Sequence, residues 1–389
     1  MASIQETVEY NSFPGACANV DPEYLTHINT PILARDLDLV RNLTGAEVLN
    51  YMGWDDGNMI AVTYAALFPQ NVGRMVLDGT LQPYIANRGL TDFSLFMGIS
   101  GNVLDSCYDS VVDIPIVLSE WASQCVAAYK INETSCAFAG KSIKTSNATV
   151  DILARIESIT NGIATNTRSF AYVPNSISDW SATVTSLLSS PGGWSALSQY
   201  LVALEQDLAD YFPPPIQNYQ WPSEYNLNLT LSSYYSLGEP PYSVNSYVYA
   251  AVRCVDASLE GISTTETFAQ YIQNQISQNT FGAILAYEEV FGFSMCLTWP
   301  NATLNHAEAY HSAFPSSVKN KILMIGETYT SFWRIGAGIV TYEYVGSQNA
   351  VWLTHDAIGD GVYWDPNNCT QNTISRFLLS GITLKVKAD

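Results

Sequence analysis

The chain is expected to adopt an α/β fold built on a parallel sheet, and three observations lead there. Residues 48–78 read as strand, tight turn, helix and strand. Two further apolar runs of strand length, 321–325 and 350–354, stand near the C-terminus. Between them, from about residue 91 to residue 252, amphipathic helical patterns replace strand alternation. Strand, helix and strand in succession make a βαβ unit, which pairs its strands in parallel because the crossover returns the chain to the same end of the sheet.

The elements follow in order. Asn29-Thr30-Pro31 opens the first helix, with Thr30 as the expected N-cap, Pro31 in the first helical position, and Leu33, Leu37 and Val40 on one face. Residues 48–52 are a short apolar run, and Gly53-Trp54-Asp55-Asp56-Gly57 forms a tight turn. Residues 58–68 have helical spacing without internal Gly or Pro; Pro69 ends that helix and 74–78 reads as the next buried strand. Residues 118–129 and 152–163 read as helices, and Pro191-Gly192-Gly193-Trp194 leads into a long amphipathic helix over 196–211. An aromatic-rich stretch follows, carrying Tyr219, Trp221, Tyr225, Tyr234, Tyr235, Tyr242, Tyr247 and Tyr249. Most of these rings are expected to pack in a core and a few to line an apolar pocket. Residues 370–379 form the last helix, closed by Gly381. The resulting division is 1–90 for the first part of the core, 91–252 for a helical insertion and 253–389 for the return to the core.

A chain of 389 residues can bury a large core. It is 47% hydrophobic and only 13% charged, so it is globular and ordered, with polarity supplied by Ser, Thr, Asn and Tyr. The net charge of −20 argues against nucleic acid, which requires a cationic surface. No apolar run approaches the length of a membrane span. The seven cysteines form no C-x-x-C pair, so neither a zinc site nor any other metal or cofactor is expected. Six N-x-S/T sequons stand at Asn42, Asn132, Asn147, Asn228, Asn301 and Asn368, and in a chain this rich in Asn, Ser and Thr several arise by chance. The opening MASIQETVEYNSF has neither a basic n-region nor an apolar h-region. Loss of a leader and an intracellular descendant of a secreted ancestor both account for it.

The stretch VLNYMGWDDGNMIAVTYAALFPQNVGRMVLDG resembles the nucleophile elbow of the α/β-hydrolases, in the branch of tripeptidyl- and prolyl-aminopeptidases. The framework positions Asn50, Tyr51, Gly53, Gly57, Tyr64, Ala65, Phe68, Pro69 and the run 72–78 match that pattern. So do Asn29, Thr30, Ala34, Asp36, Asp38 and Arg41 in the preceding helix, and the pieces Ala251-Val252-Arg253-Cys254-Val255-Asp256 and Cys296-Leu297-Thr298-Trp299-Pro300. The resemblance implies that Cys254 and Cys296 pair or lie close, and that the insertion is a helical lid. The family carries further strands and an H-G-G-P-G-type loop before the first matched helix, and the first 30 residues offer no counterpart. The implied fold is a truncated α/β-hydrolase-like parallel sheet that lacks the N-terminal strands and carries a large inserted helical lid. The elbow strand would then have an uncovered edge, for which a second copy of the chain is the expected cover, making a homodimer.

A serine hydrolase needs a nucleophile, an imidazole and a carboxylate that orients it. By the resemblance, the nucleophile position holds Asp55, the orienting Asp is replaced by Thr330 within Gly326-Glu327-Thr328-Tyr329-Thr330, and the His position holds Asp360 within Asp356-Ala357-Ile358-Gly359-Asp360-Gly361. Of the four histidines, His27, His306, His311 and His355, none falls at the motif position; His355, five residues before it, is expected to be structural. What remains is a set of carboxyls. Asp55 at a helix N-terminus favours its ionised form, Asp360 lies opposite, and Glu327 adds a third acid; enclosed together, such groups push their pKa values apart, which suits one as base and another as acid. The plainer reading is that Asp55 caps its helix and Asp360 makes a glycine-flanked turn. Asp55, Asp360 and Glu327 are the candidate catalytic residues. Trp54, Asp56, Tyr329, Thr330, Trp333 and Trp221 are candidate substrate contacts, although Asp56 is expected to point away from the cavity. The expected function is a non-hydrolytic enzyme that directs cyclisation, isomerisation or dimerisation of an apolar, natural-product-like intermediate. The alternatives are a catalytically dead binder of a ligand or partner, and a hydrolase with Asp55 as nucleophile.

Overall fold

The computed structural model describes residues 27–54, 56–79, 103–164, 177–206, 314–330, 335–363 and 365–381, with a few single positions besides. Four parallel strands form one sheet in the order β1-β2-β3-β4: β1 Leu49–Trp54, β2 Val72–Asp78, β3 Ile322–Tyr329 and β4 Ala350–Ile358. Helices α1 (Thr30–Leu43) and α2 (Asp56–Leu67) precede and follow β1. Helices α3 (Val103–Ile131), α4 (Ala148–Ala164), α5 (Ile177–Leu188) and α6 (Trp194–Gln206) lie between β2 and β3 in the chain. Helix α7 (Ile335–Val345) makes the crossover from β3 to β4, and α8 (Asn368–Ser380) closes the described chain.

The inner strands β2 and β3 are buried on both faces, and the period of two along each strand decides which residue goes where. Met75, Leu77, Ile322 and Met324 face α1, α2 and α7, where they pack with Ala61, Tyr64, Ala65 and Val345. The alternate residues Val76, Leu323 and Ile325 face the other way, onto Ile374 and Phe377 of α8 and onto Val362. That double burial explains why 75–77 and 322–325 read as unbroken apolar runs.

Three expectations need correction. The N-cap of α1 is Asn29 rather than Thr30: Asn29 is extended and its side chain accepts the Ile32 N–H at 3.0 Å, leaving Thr30 as the first helical residue. Asn ranks above Thr as an N-cap, and Pro31 follows within the first turn. Val40 does not belong to the packed face; α1 buries Ala34 and leans on Leu37, while Leu39, Val40 and Leu43 are exposed. Helix α3 begins at Val103, well before residue 118, and carries Pro115 in its interior, where a sequence reading stops.

Helices α3 to α6 share a core of their own, built on Trp121, Ile152, Ile156, Trp180, Leu188, Leu197 and Tyr200. A disulfide between Cys125 and Cys136 ties α3 to the turn after it. Cys254 is disulfide-bonded and buried against this same core; its expected partner Cys296 lies outside the described residues. Outside them too lie the aromatic stretch with Trp221, the end of the helix expected over 196–211, and His306 and His311. Helix α8 ends on Gly381, whose φ of +68° is the left-handed cap expected of it. Among the described strands, β1 is an edge of the sheet.

Candidate functional site

Parallel strands deliver their carboxyl ends to one side of the sheet, and ligand sites of open α/β sheets form there. Here the pairing register puts Trp54, Asp78, Glu327 and His355, all of the α8-facing row, at that end. Trp54 stands beside Asp78, Asp78 beside Ile325, and Glu327, two residues on, beside His355. Below them the same row is apolar, so a polar cluster sits on top of a greasy one.

Asp78 is fully buried and well supplied with donors. The Val362 N–H reaches its two oxygens at 3.1 and 3.0 Å, and the Trp54 indole N–H donates to Oδ2 at 2.9 Å. Asn58, in the first turn of α2, donates its amide to the backbone carbonyls of Asp78 and Gly79 at 2.7 and 3.0 Å. The end of β2 is thereby tied to the elbow helix on one side and to the loop after β4 on the other. Glu327 is the opposite case. It is 1% exposed, and neither carboxyl oxygen meets a hydrogen-bond donor among the described residues.

The two carboxyls perturb each other through charge and through their carboxyl–carboxyl contact. Burial pushes the Glu327 carboxyl up to about 10, and the charges of Asp78 and Asp360 push the same way. Burial also raises Asp78, but the Val362 and Trp54 N–H groups act against it. With three N–H contacts on one carboxyl and none on the other, the negative charge belongs to Asp78 and the proton to Glu327. At neutral pH the Glu327 carboxyl is protonated.

Asp360 is half-buried between Gly359 and Gly361, both at positive φ, in the glycine-flanked turn anticipated for it. A Cβ at Gly361 would sit 3.3 Å from Asp78 Oδ2, and one at Gly79 would sit 3.3 Å from the Asp360 carbonyl. Those two glycines let the loop close down on the buried acids. The Asp360 backbone N–H donates to the Ser189 carbonyl, just beyond α5, at 3.2 Å, so the helical layer touches the site at this loop. His355 is buried with both ring nitrogens engaged: Nε2 donates to the Asp365 carbonyl at 3.0 Å, leaving Nδ1 to accept from the Thr370 hydroxyl at 2.9 Å or the Asn367 amide at 3.2 Å. Its role is structural, as expected.

Of the other expected site residues, Trp54 and Tyr329 are each 41% exposed at the strand ends, Trp54 in edge-on contact with Tyr363. Thr330 is buried. Asp55, Trp333 and Trp221 lie outside the described residues, and Asp56 is placed only as the first residue of α2. Asp78 escaped the sequence reading because L-D-G matched as framework. The available signal was a charged residue ending an otherwise apolar buried strand.

Residues 8–106 match the family described as alpha/beta hydrolase fold. The described residues form an α/β fold on a four-stranded parallel sheet, and this match, over about a quarter of the chain, makes the chain similar to the α/β-hydrolases. Its matches to proteins of assigned name are local. It is 42% identical over 67 residues to a tripeptidyl aminopeptidase of Streptomyces lividans, covering 17% of this chain and 12% of that protein. It is 38% identical over 76 residues to the serine protease Hip1 of Mycobacterium tuberculosis, covering 19% of this chain and 15% of that one. The matched stretches therefore span less than a sixth of either relative. Among the described residues, no cluster of His, Cys, Asp and Glu is arranged to hold a metal ion, and no helix is long and apolar enough to cross a membrane.

Proposed function

We propose that this chain is a non-hydrolytic acid–base enzyme on an α/β-hydrolase scaffold, with all three triad positions changed. It directs cyclisation, isomerisation or dimerisation of an apolar, natural-product-like intermediate under a helical lid. The observation that carries the reading is the buried Glu327 carboxyl beside the buried, donor-supplied Asp78 at the carboxyl end of the sheet, with Glu327 pushed far above the ordinary range. A carboxylic acid kept protonated at pH 7 suits a general acid. Asp360, at the surface of the cluster, and Asp55, at the elbow, are the groups that touch substrate. Glu327 supplies a proton by way of Asp360 and Asp55 accepts one; Asp55 then gives its proton to solvent and Glu327 takes one back by way of Asp360, which restores both groups for the next turnover. Trp54 and Tyr329 offer the half-exposed aromatic walls that an apolar substrate would use.

Two measurements test this. A fluorophosphonate probe should leave the protein unlabelled; labelling abolished by a serine-directed inhibitor would end the proposal. Against a panel of polyketide- and terpenoid-like intermediates, Asp55→Asn should lower turnover by roughly 100-fold or more, the scale of a lost acid–base group, with Asp56→Asn nearly unchanged. Equal losses from the two variants would put the wrong residue of the elbow in the cavity. The peptidase names of the relatives favour a second reading, a hydrolase with Asp55 as nucleophile. That reading predicts ester turnover with a covalent aspartyl intermediate trappable by hydroxylamine.

For quaternary structure we propose that β1 pairs with, or packs against, a second copy of the chain. An edge strand leaves a row of unpaired backbone groups beside apolar side chains, and a two-fold interface covers both at once. Sedimentation at micromolar concentration should give a dimer; a stable, soluble monomer would refute it.

A further inference from the structure

We infer that Asn132 is an N-glycosylation site, and that the chain matures in an oxidising compartment where oligosaccharide is transferred to asparagine. Two independent features point there. Cys125 and Cys136 are joined in a disulfide and Cys254 is disulfide-bonded as well, a usage that belongs to exported proteins rather than to a reducing cytosol. The sequon Asn132-Glu133-Thr134 lies in the loop that this first disulfide closes, directly after α3.

The structure separates the described sequons by what their hydroxyl residue is doing. At Asn132 the side-chain Oδ1 accepts both the Thr134 N–H at 3.1 Å and the Thr134 hydroxyl at 2.9 Å, and residues 131–135 are exposed. The Asn amide and the Thr hydroxyl are thus already together, in an open turn a transferase can reach. Asn42 lies inside α1, and the Thr44 hydroxyl is turned to the carbonyls of Val40 and Arg41. Asn368 begins α8, and its Thr370 is buried with the hydroxyl on His355. Asn147 Oδ1 accepts the Val150 N–H, and Thr149 is already in the first turn of α4. Asn228 and Asn301 lie outside the described residues. Ile131, immediately before the favoured site, is 89% exposed. A sugar anchored at Asn132 would lay its C–H face over that side chain and remove an apolar liability.

The co-reactant is a lipid-pyrophosphate-linked oligosaccharide. The Asn132 Nδ2 forms a bond to the anomeric carbon while the carbon–oxygen bond to pyrophosphate breaks. The lipid pyrophosphate leaves with the electron pair, and one amide proton passes to a base of the transferase. Thr134, bonded to Oδ1, orients the amide.

The test expresses the full chain behind a secretory leader in a eukaryotic host. Peptide N-glycosidase F is applied in heavy-oxygen water, to both the secreted and the microsome-retained pools. Asn132 should be recovered as heavy-labelled Asp, and Asn132→Gln and Thr134→Ala should each remove one glycan from the intact mass, whereas Thr134→Ser should keep it. Recovery of Asn132 as unlabelled Asn from both pools would overturn the inference, as would an unchanged intact mass in Asn132→Gln. The peptide measurement on the unsubstituted chain stands even where a variant fails to fold.

Discussion

Glu327→Gln should make the protein more stable at neutral and alkaline pH while impairing any reaction that draws on its proton. Glu327 is buried, and burial together with Asp78 lifts its carboxyl from an ordinary value near 4.5 up to about 10. Between those limits the folded state holds a proton that the unfolded state has released, so stability falls as pH rises. The slope within the window is about 1.4 kcal/mol per pH unit for one group. Stability from this source is fully present below the lower limit and is lost progressively toward the upper one. Glutamine has nearly the same shape, stays neutral at every pH, and can donate its amide to Asp78. It removes the linkage without opening a cavity. At pH 7 the gain should be roughly 1–3 kcal/mol, the lower figure allowing for ionisation that the Asp78 charge shares out between the pair. Urea unfolding at pH 5 and at pH 8.5 should show the unsubstituted protein weakening across the interval and the variant nearly flat. Parallel behaviour of the two proteins would mean that Glu327 is ionised in the fold.

How far the sequence could foresee this site depends on which force set each residue. The inner strands were legible because both of their faces are buried, so 75–77 and 322–325 had to be apolar throughout. The elbow was legible because Gly53 and Gly57 bracket a turn between a strand and a helix. Helix edges were less so. The cap passed from Thr30 to Asn29 because two adjacent capping residues compete, and Asn both ranks higher and takes the extended backbone that a cap needs. The start of α3 was hidden because Pro115 is accommodated inside a helix. Glu327 was identified as a site acid, but its neutral state could not be foreseen, because that state depends on a partner 249 positions away in the chain, at residue 78. The Cys125–Cys136 disulfide was missed for a similar reason, since seven cysteines without a motif leave many pairings open.

Arg155→Met should destabilise the helical layer by roughly 2–4 kcal/mol, the range for breaking a partly buried hydrogen-bonded charge network, while Lys141→Met should cost less than about 1 kcal/mol, the range for an exposed pair. Both residues bind the same acid, Glu205, so charge alone does not distinguish them. Arg155 reaches the two Glu205 oxygens in a fork, Nε and Nη2 each at 2.7 Å, from a largely buried position. Its Nη1 also donates to the Phe138 carbonyl at 2.7 Å and the Ser142 hydroxyl at 2.6 Å, and the guanidinium lies 3.8 Å from the Phe138 ring centroid. One side chain thereby joins α4, α6 and the turn that follows the disulfide. Lys141 makes a single contact with Glu205 at 2.8 Å from an exposed position, where solvent screens it. Burial tends to raise the Glu205 carboxyl, but its bonds to Arg155 and Lys141 outweigh that and hold it below the usual range. The network therefore stabilises the fold above the ordinary carboxylate range and loses that contribution as pH falls through the depressed value. Thermal unfolding at pH 7 should rank the unsubstituted protein and Lys141→Met together, well above Arg155→Met, and the gap should narrow on acidification as Glu205 takes up its proton. Equal shifts from the two substitutions would show that Glu205 is bound by charge alone, and that the fork and its carbonyl contacts add nothing.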